Sequence, residues 1–410
     1  MRRNIYFSVG VAALAAVIVA AVLVQSFNQN SSITQSTTGS KVVNTPVASV
    51  DTVAKSETSV VSAQSLTISS TTATGSTDSA TAKFIIPSLM QDAFAISSSQ
   101  NSVSSASWAI SSFNPRGAVT NSSNGAAYFA DCANGIARLV PSSNTITQWP
   151  VPKSGTYSNC PRGITIDSSS NVYFTENALL PPSNFGSFNS GDGSIGRLVP
   201  GTNVITFWQV PTANPILGKL ATDSSGNVYF TEGNNTHSKI GRLSPATNTI
   251  TEWTLPTANS GPYGLVVNGS GVVFFAETGI SKIGRLVPST NVITEWPIST
   301  ITGNPEVASL DLTTGDMYFT EPSARQIGRL DASTNIISEW TLPGSIVPSD
   351  IAVDSSGNVF FSVFGPTVGR LVPTTSTITQ WTIGNNPQTV AVDNSGNVFA
   401  GTSAGITRLS

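Results

Sequence analysis

Five carboxylates stand at one place in successive copies of a repeated unit: Asp131, Glu176, Glu232, Glu277 and Glu321. Each closes a short aromatic run such as NVYFTE or GVVFFAE. Acids gathered around one rim could hold a cation or act as acid and base. The single histidine, His237, lies just after Glu232, so Glu232, His237 and Glu277 form the one catalytic constellation with acid–base capacity. A plainer reading is that the acids pair with arginines repeated in the same units: Arg197, Arg242, Arg285, Arg329 and Arg370, with Arg138 and Arg408 in variant contexts. Repeat architecture propagates a structural residue to every unit, and this reading is preferred. There is no Gly-x-Ser-x-Gly elbow with a matching histidine, no paired-cysteine metal spacing and no Walker loop. The turns beginning at Asp167, Asp223, Asp354 and Asp393 carry serines where a calcium loop needs further acids. No cofactor and no metal are expected on these grounds.

The elements that must position these groups follow from one stretch, KIGRLVPSTNVITEW, from Lys282 to Trp296. Copies of it end at Trp149, Trp208, Trp253, Trp340 and Trp381, and a partial copy, GITRLS, ends at Ser410. Successive tryptophans are 59, 45, 43, 44 and 41 residues apart, the spacing of four-stranded propeller blades. Each copy is a hairpin, and a run entering an Asp-Ser-Gly-Asn turn before a β-branched and aromatic run supplies two more strands. Trp108 lies 41 residues before Trp149, where the last strand of a blade belongs. The other three strands of that blade, PQTVAVD, NVFAG and GITRLS, lie at the C-terminus. The expected fold is an all-β, seven-bladed propeller closed by pairing an N-terminal strand with the C-terminal three. Such closure removes exposed sheet edges, and the ring is expected to be monomeric.

Charged residues make up 10% of the 410-residue chain and the net charge is −3, which excludes the electrostatic footprint of a nucleic-acid partner. The N-terminus reads MRRN and then an uncharged run from Ile5 to Val24, long enough to cross a membrane once. Arg2 and Arg3 favour a cytoplasmic N-terminus, with the rest of the chain outside. A cleaved signal peptide is the alternative. Either way the propeller is exported, to the cell surface if the anchor stays and as a secreted protein if it is cleaved. An oxidising compartment permits a disulfide between Cys132 and Cys160, whose loops fall on one face of the ring. Residues 1–26 are thus read as anchor or signal, 27–103 as a Ser/Thr-rich flexible stalk, and 104–410 as the propeller.

Loops after the second strand of each unit vary, while those after the first and third are short and uniform. The variable face is the expected binding surface, for a glycan, peptide or surface-protein partner, and the five acids belong to it. The insertion at 177–193 is its longest loop. Four sequons, at Asn30, Asn121, Asn234 and Asn268, are open to glycosylation in an exported chain.

The P-x-G-I pattern, the GN-x-YFTE strand, KIGRL and NTITEW together resemble the virginiamycin B lyase (streptogramin B lyase) family of seven-bladed propellers, over about Ser104 to Ser410. That resemblance implies opening of a cyclic depsipeptide by elimination across its ester, with a magnesium ion and top-face histidine and glutamate. Active members carry histidine near the P-x-G position, whereas this chain has Arg116, Arg162, Tyr263, Glu306, Ser349 and Gln388 there. One histidine cannot assemble a two-histidine mechanism. The expected function is therefore a binding or scaffold module, and a divergent metal-dependent lyase or lactone hydrolase is the alternative.

Overall fold

The computed structural model describes residues 49–60, 95–97, 101–152, 158–179, 193–213, 215–233, 238–300 and 302–410. The apolar run Ile5–Val24, His237 and most of the 177–193 insertion lie outside the described residues. Among those described, no helix is long and apolar enough to cross a membrane.

Seven four-stranded antiparallel blades make the ring. Blade three shows the pattern: Leu217–Thr222, Val228–Gly233, Ser238–Ser244 and Thr249–Thr254 pair in sequence order from the inside outward. The second strand of each blade is buried along nearly all of its described length, and wholly in Val273–Glu277 and Met317–Glu321, because a neighbouring blade covers each of its faces. Its central phenylalanine explains the glycine of Gly-Arg-Leu. The far ends of the Phe230 and Phe275 rings press on Gly241 and Gly284, where a Cβ would overlap them. Any larger residue would push the ring out of the seam between blades.

The first turn of each unit closes as its composition predicts. Asp223 Oδ1 accepts the backbone N–H of Ser225 and of Asn227, both at 2.9 Å, while Gly226 takes φ +79°. The same bonds recur at Asp354 and Asp393. Two sequon asparagines are used in these turns: Asn268 accepts from Ser270 and Val272, and buried Asn121 donates to Ser170.

Closure is as the repeat count requires. Asn101–Ala109 runs antiparallel to Gly405–Leu409 and sets Trp108 opposite Ile406. The backbone N–H of Ser410 donates to the carbonyl of Ser104 at 3.1 Å. One further strand departs from the expected stalk. Ser49–Val60 pairs on one side with Asn101–Ala109 and on the other with Thr377–Thr382, joining the outer edges of blades six and seven. Outer strands leave a row of unpaired backbone groups, and a chain rich in Val, Thr and Ser satisfies them by adding a strand.

The arginine–carboxylate pairing read from the repeats is not what the arginines do, and this is a correction. Arg138, Arg197, Arg242, Arg285, Arg370 and Arg408 lie over Trp149, Trp208, Trp253, Trp296, Trp381 and Trp108 at 5.2 to 5.9 Å from the ring centres. The reason is register: Arg242 stands opposite Thr251 and Tyr229, several residues along the strand from Glu232, which stands opposite Lys239. Each arginine thus meets the tryptophan of its own blade and gains a cation–π contact. Among the described residues, Arg329 is the one arginine of this set that pairs with acids, Asp316 at 3.3 Å and Asp331 at 2.9 Å. Several tryptophans then tie one blade to the next: Trp149 Nε1 donates to Asn203 at 2.7 Å, Trp208 to Asn248 at 2.9 Å and Trp253 to Asn291 at 2.7 Å.

Cys132 and Cys160 form the expected disulfide, with Cα atoms 4.2 Å apart. It fastens the loop after the second strand of blade one to the start of blade two. The closed loop has a sequence separation of 28, which in the chain-entropy model corresponds to about 3–4 kcal/mol. A Cys132→Ser/Cys160→Ser variant is expected to lose stability of that order in chemical denaturation, and the native chain should gain mass on reduction by the two hydrogens of one disulfide.

Candidate functional site

The innermost strands converge on the channel, and their first residues lie on the face that carries the variable loops. Pro115, Leu217, Pro262 and Pro387 stand opposite Asp131, Glu232, Glu277 and Thr402, the last residues or near-last residues of the second strands. The residues just after these starts line a cavity of about 720 Å³ at the mouth of the channel. Arg116 and Arg162 come from blades one and two, Lys219 from blade three, Tyr263 from blade four, Glu306 from blade five and Asp350 from blade six. Ser349 and Gln388 complete the polar wall, and Phe364, 74% exposed, stands at the rim.

Close approach of neighbouring inner strands sets these side chains at one level. The glycine of P-x-G faces the backbone of the next blade: a Cβ at Gly163 would lie 2.8 Å from the carbonyl oxygen of Gly218, and one at Gly117 or Gly264 would overlap the carbonyl of Arg162 or Glu306. At these three seams only glycine lets neighbouring innermost strands draw together this tightly at their starts. The residue before each glycine is left to reach into the mouth.

One ion pair crosses the channel. Lys219 Nζ lies 3.3 Å from Asp350 Oδ1, joining blades three and six, and 3.4 Å from the carbonyl oxygen of Arg116. Asp350 Oδ2 accepts the backbone N–H of Val390 at 3.0 Å, which ties in blade seven. Burial pulls the Lys219 ammonium toward neutrality, but the Asp350 carboxylate, with Tyr263 and Glu306, outweighs it and holds the group above its ordinary value. Burial raises the Glu306 carboxyl, and Asp350 raises it further against the pull of Lys219 and Arg162. Burial and the neighbouring Arg162 guanidinium lower Arg116.

The five acids read from the repeats, offered as a binding face, do not line this cavity. Each is buried at the end of its second strand. Asp131 caps a loop, accepting the N–H of Asn114 at 2.9 Å, of Ala133 at 3.0 Å and the amide of Asn134 at 2.7 Å. Glu176 is pushed up to about 7 by burial, against the pull of Ser194. Glu232, Glu277 and Glu321 have both carboxylate oxygens buried without a hydrogen-bond partner. Their neighbours differ by seam: Thr212, Lys239 and Glu252 surround Glu232, whereas Ser260, Lys282 and Glu295 surround Glu277. The two candidate catalytic acids therefore occupy separate seams, and His237, the third candidate, lies outside the described residues.

Lys219 and Asp350 are the residues of this cavity that reading the repeats missed. A signal was present: six of the seven P-x-G-type positions hold Gly117, Gly163, Gly264, Val307, Asp350 and Thr389, and the seventh holds Lys219, so two charges replace small or apolar residues. Their partnership was not visible, because 131 residues separate them.

The magnesium ion implied by family resemblance does not fit these residues. Among the described residues no group of three or more histidines, cysteines or acids stands together. At the mouth Asp350 is already paired with Lys219 at 3.3 Å.

Buried acids in the seams give the fold a pH dependence. Burial pushes Glu232 and Glu277 up to about 7 and Glu321 up to about 8, where the nearby Glu339 charge adds to the effect. Because folded values exceed the ordinary carboxylate value of 4.5, the folded chain binds more protons than the unfolded one across that window. Their stabilising contribution is complete below the unfolded value and is lost as pH rises through 7 to 8. Folding stability is expected to fall between about pH 5 and about pH 9, by roughly 3 kcal/mol per group. A Glu232→Gln/Glu277→Gln/Glu321→Gln variant should flatten that profile; an unchanged slope would remove these groups as its cause.

Comparison with known proteins places this geometry in a family. The sequence profile of the virginiamycin B lyase family matches residues 187–405, more than half of the chain. No curated protein matches the chain in sequence. Among solved structures, a streptogramin B lyase is 23% identical, covers 74% of this chain and 95% of its own, and superposes with a TM-score of 0.64. The selenomethionine form of virginiamycin B lyase from Staphylococcus aureus is 22% identical, covers 75% and 98%, and gives 0.63. A catalytically inactive histidine-to-alanine form of that enzyme with quinupristin gives the same values. Likeness at this identity establishes the fold, and the profile match establishes descent: the chain belongs to the virginiamycin B lyase family.

Proposed function

We propose that this chain is a binding and scaffold module that works at the cell surface, exported and held by its N-terminal apolar run, and that it meets a glycan, peptide or surface protein through the channel mouth. The observation that carries this reading is the cavity of about 720 Å³ walled by Arg116, Arg162, Lys219 and Tyr263. Such a concave, polar-lined space suits a ligand. Of its two acids, Asp350 is paired with Lys219 at 3.3 Å.

Family membership favours a second reading, a divergent lyase or lactone hydrolase that uses a divalent metal with Glu232, His237 and Glu277. Against it stands the burial of Glu232 and Glu277 in different seams. General acid–base work needs both groups within hydrogen-bond reach of one substrate.

The two readings separate in one experiment on the purified full-length protein. Retention on a glycan and peptide array, without turnover of cyclic depsipeptides or lactones in the presence of magnesium, is the expected outcome. Turnover that vanishes in a Glu232→Gln/Glu277→Gln variant would replace the binding reading with the catalytic one.

A further inference from the structure

Blades three, four and five share one arrangement of acids, and blade five departs from it at two positions. In blade three Lys239 Nζ lies 2.6 Å from Glu252 Oε2 and 2.8 Å from Thr212 Oγ1. In blade four Lys282 Nζ lies 2.8 Å from Glu295 Oε2 and 3.1 Å from Thr257 Oγ1. Each lysine stands opposite the buried acid of the second strand, Lys239 opposite Glu232 and Lys282 opposite Glu277. In blade five the place opposite Glu321 is taken by Gln326. Ser260, whose hydroxyl works against the effect of burial on Glu277, gives way to Gly303, which precedes Pro305 as Ser260 precedes Pro262.

Both changes strip Glu321 of partners. Its side chain is fully buried, and neither carboxylate oxygen has a hydrogen bond. Glu339, the counterpart of Glu295, accepts from Ser299 and Thr300 but has no ion-pair partner among the described residues. Arg325, beside Gln326 in the chain, is exposed and makes no ion pair there. Two carboxylates therefore share this part of blade five without a cation, where blades three and four each supply an ammonium. Burial and the Glu339 charge push Glu321 up to about 8, against about 7 for Glu232 and Glu277.

Oxygen atoms gather at the position that the ammonium holds elsewhere. Thr300 Oγ1 lies 3.0 Å from Gln326 Oε1 and 3.2 Å from Glu339 Oε2, while Gln326 Nε2 donates away from them to Thr341 Oγ1 at 3.2 Å. Glu321, directly opposite Gln326, projects on the same face of the sheet. Its Oε2 packs against Gly303, where a Cβ would overlap it. Gln326, Glu339 and Thr300 are half-buried, so the cluster is open to solvent at one end and has Glu321 at its base. None of these residues lines the channel cavity.

We propose that blade five binds a calcium ion in the place of the lysine ammonium, held by the carboxylates of Glu321 and Glu339, the amide oxygen of Gln326 and the hydroxyl of Thr300. Every donor is an oxygen, which suits a hard cation, and their spread over three strands and a loop suits calcium better than magnesium, which demands near-ideal octahedral geometry. The site is separate from the channel mouth and does not rest on the ligand proposed there.

Calorimetric titration of the full-length protein, stripped of metal with EDTA, tests this with calcium chloride and magnesium chloride. Calcium is expected to bind saturably, at least about tenfold more tightly than magnesium. It should also raise the thermal denaturation midpoint. Glu321→Gln should weaken calcium binding about tenfold or more, since affinity follows the charge of the ligand set. Gln326→Lys, which puts back the ammonium of blades three and four, should abolish calcium binding in a folded protein. If Glu321→Gln fails to fold by circular dichroism, Gln326→Lys still decides, because two neighbouring blades already accommodate its pattern. No saturable heat with calcium, magnesium bound as tightly as calcium, or calcium affinity unchanged in folded Gln326→Lys protein would each overturn the proposal.

Discussion

The antiparallel pairing of Asn101–Ala109 with Gly405–Leu409 is the contact on which the ring depends. Two segments about 300 residues apart in sequence are brought edge to edge, and every blade between them gains a neighbour on each face. Without that seam blades one and seven would expose inner faces, including Phe113, Phe129, Phe399 and Ile406, which form one buried cluster. Loop-closure entropy opposes such a long-range contact only weakly, since it grows with the logarithm of length. Burial of the apolar faces and completion of the ladder outweigh it.

Once the circle is shut, the seams leave little freedom. Phenylalanine rings lie on the glycines of the third strands, tryptophans donate to the next blade, and arginines stack on those tryptophans. These contacts repeat because each blade presents the same problem to its neighbour. A substitution in a seam is felt by two blades at once. Starts of the innermost strands are different: their side chains point into the channel, where nothing repeated must be met. Residue types there run from arginine to tyrosine, glutamate and glutamine within one equivalent position. A rigid wall carrying unlike side chains is what a specific binding site requires.

The buried glutamates belong to the seams rather than the mouth, and they show how a repeated residue can mislead. Glu232, Glu277 and Glu321 end buried strands, so their proton affinity rises through loss of water, whatever their role. A raised carboxyl is a mark of catalytic acids in many enzymes, yet here three occur in three separate seams. Their shared cause is the geometry of a second strand covered on both sides.

Reading the sequence alone was enough for the fold, because a period mostly of 41 to 45 residues, a tryptophan in each unit and one blade split into a single strand at one end and three at the other admit one closed arrangement. It was enough too for the disulfide, since Cys132 and Cys160 occupy loops that a propeller puts on one face. Arginine partners were misjudged, because register along a strand, not recurrence, decides what a side chain meets: Arg242 meets Trp253, and Glu232 stands opposite Lys239. Arg116 and Arg162 could be numbered from the P-x-G motif, but not recognised as one site. Only the closed ring brings Lys219 within 3.3 Å of Asp350 across 131 residues of chain. Local pattern determines which strands form and how they pair, since those preferences act between neighbours in sequence. The composition of the mouth was decided by tertiary structure, since the channel gathers one residue from each of seven distant segments and no local preference links them.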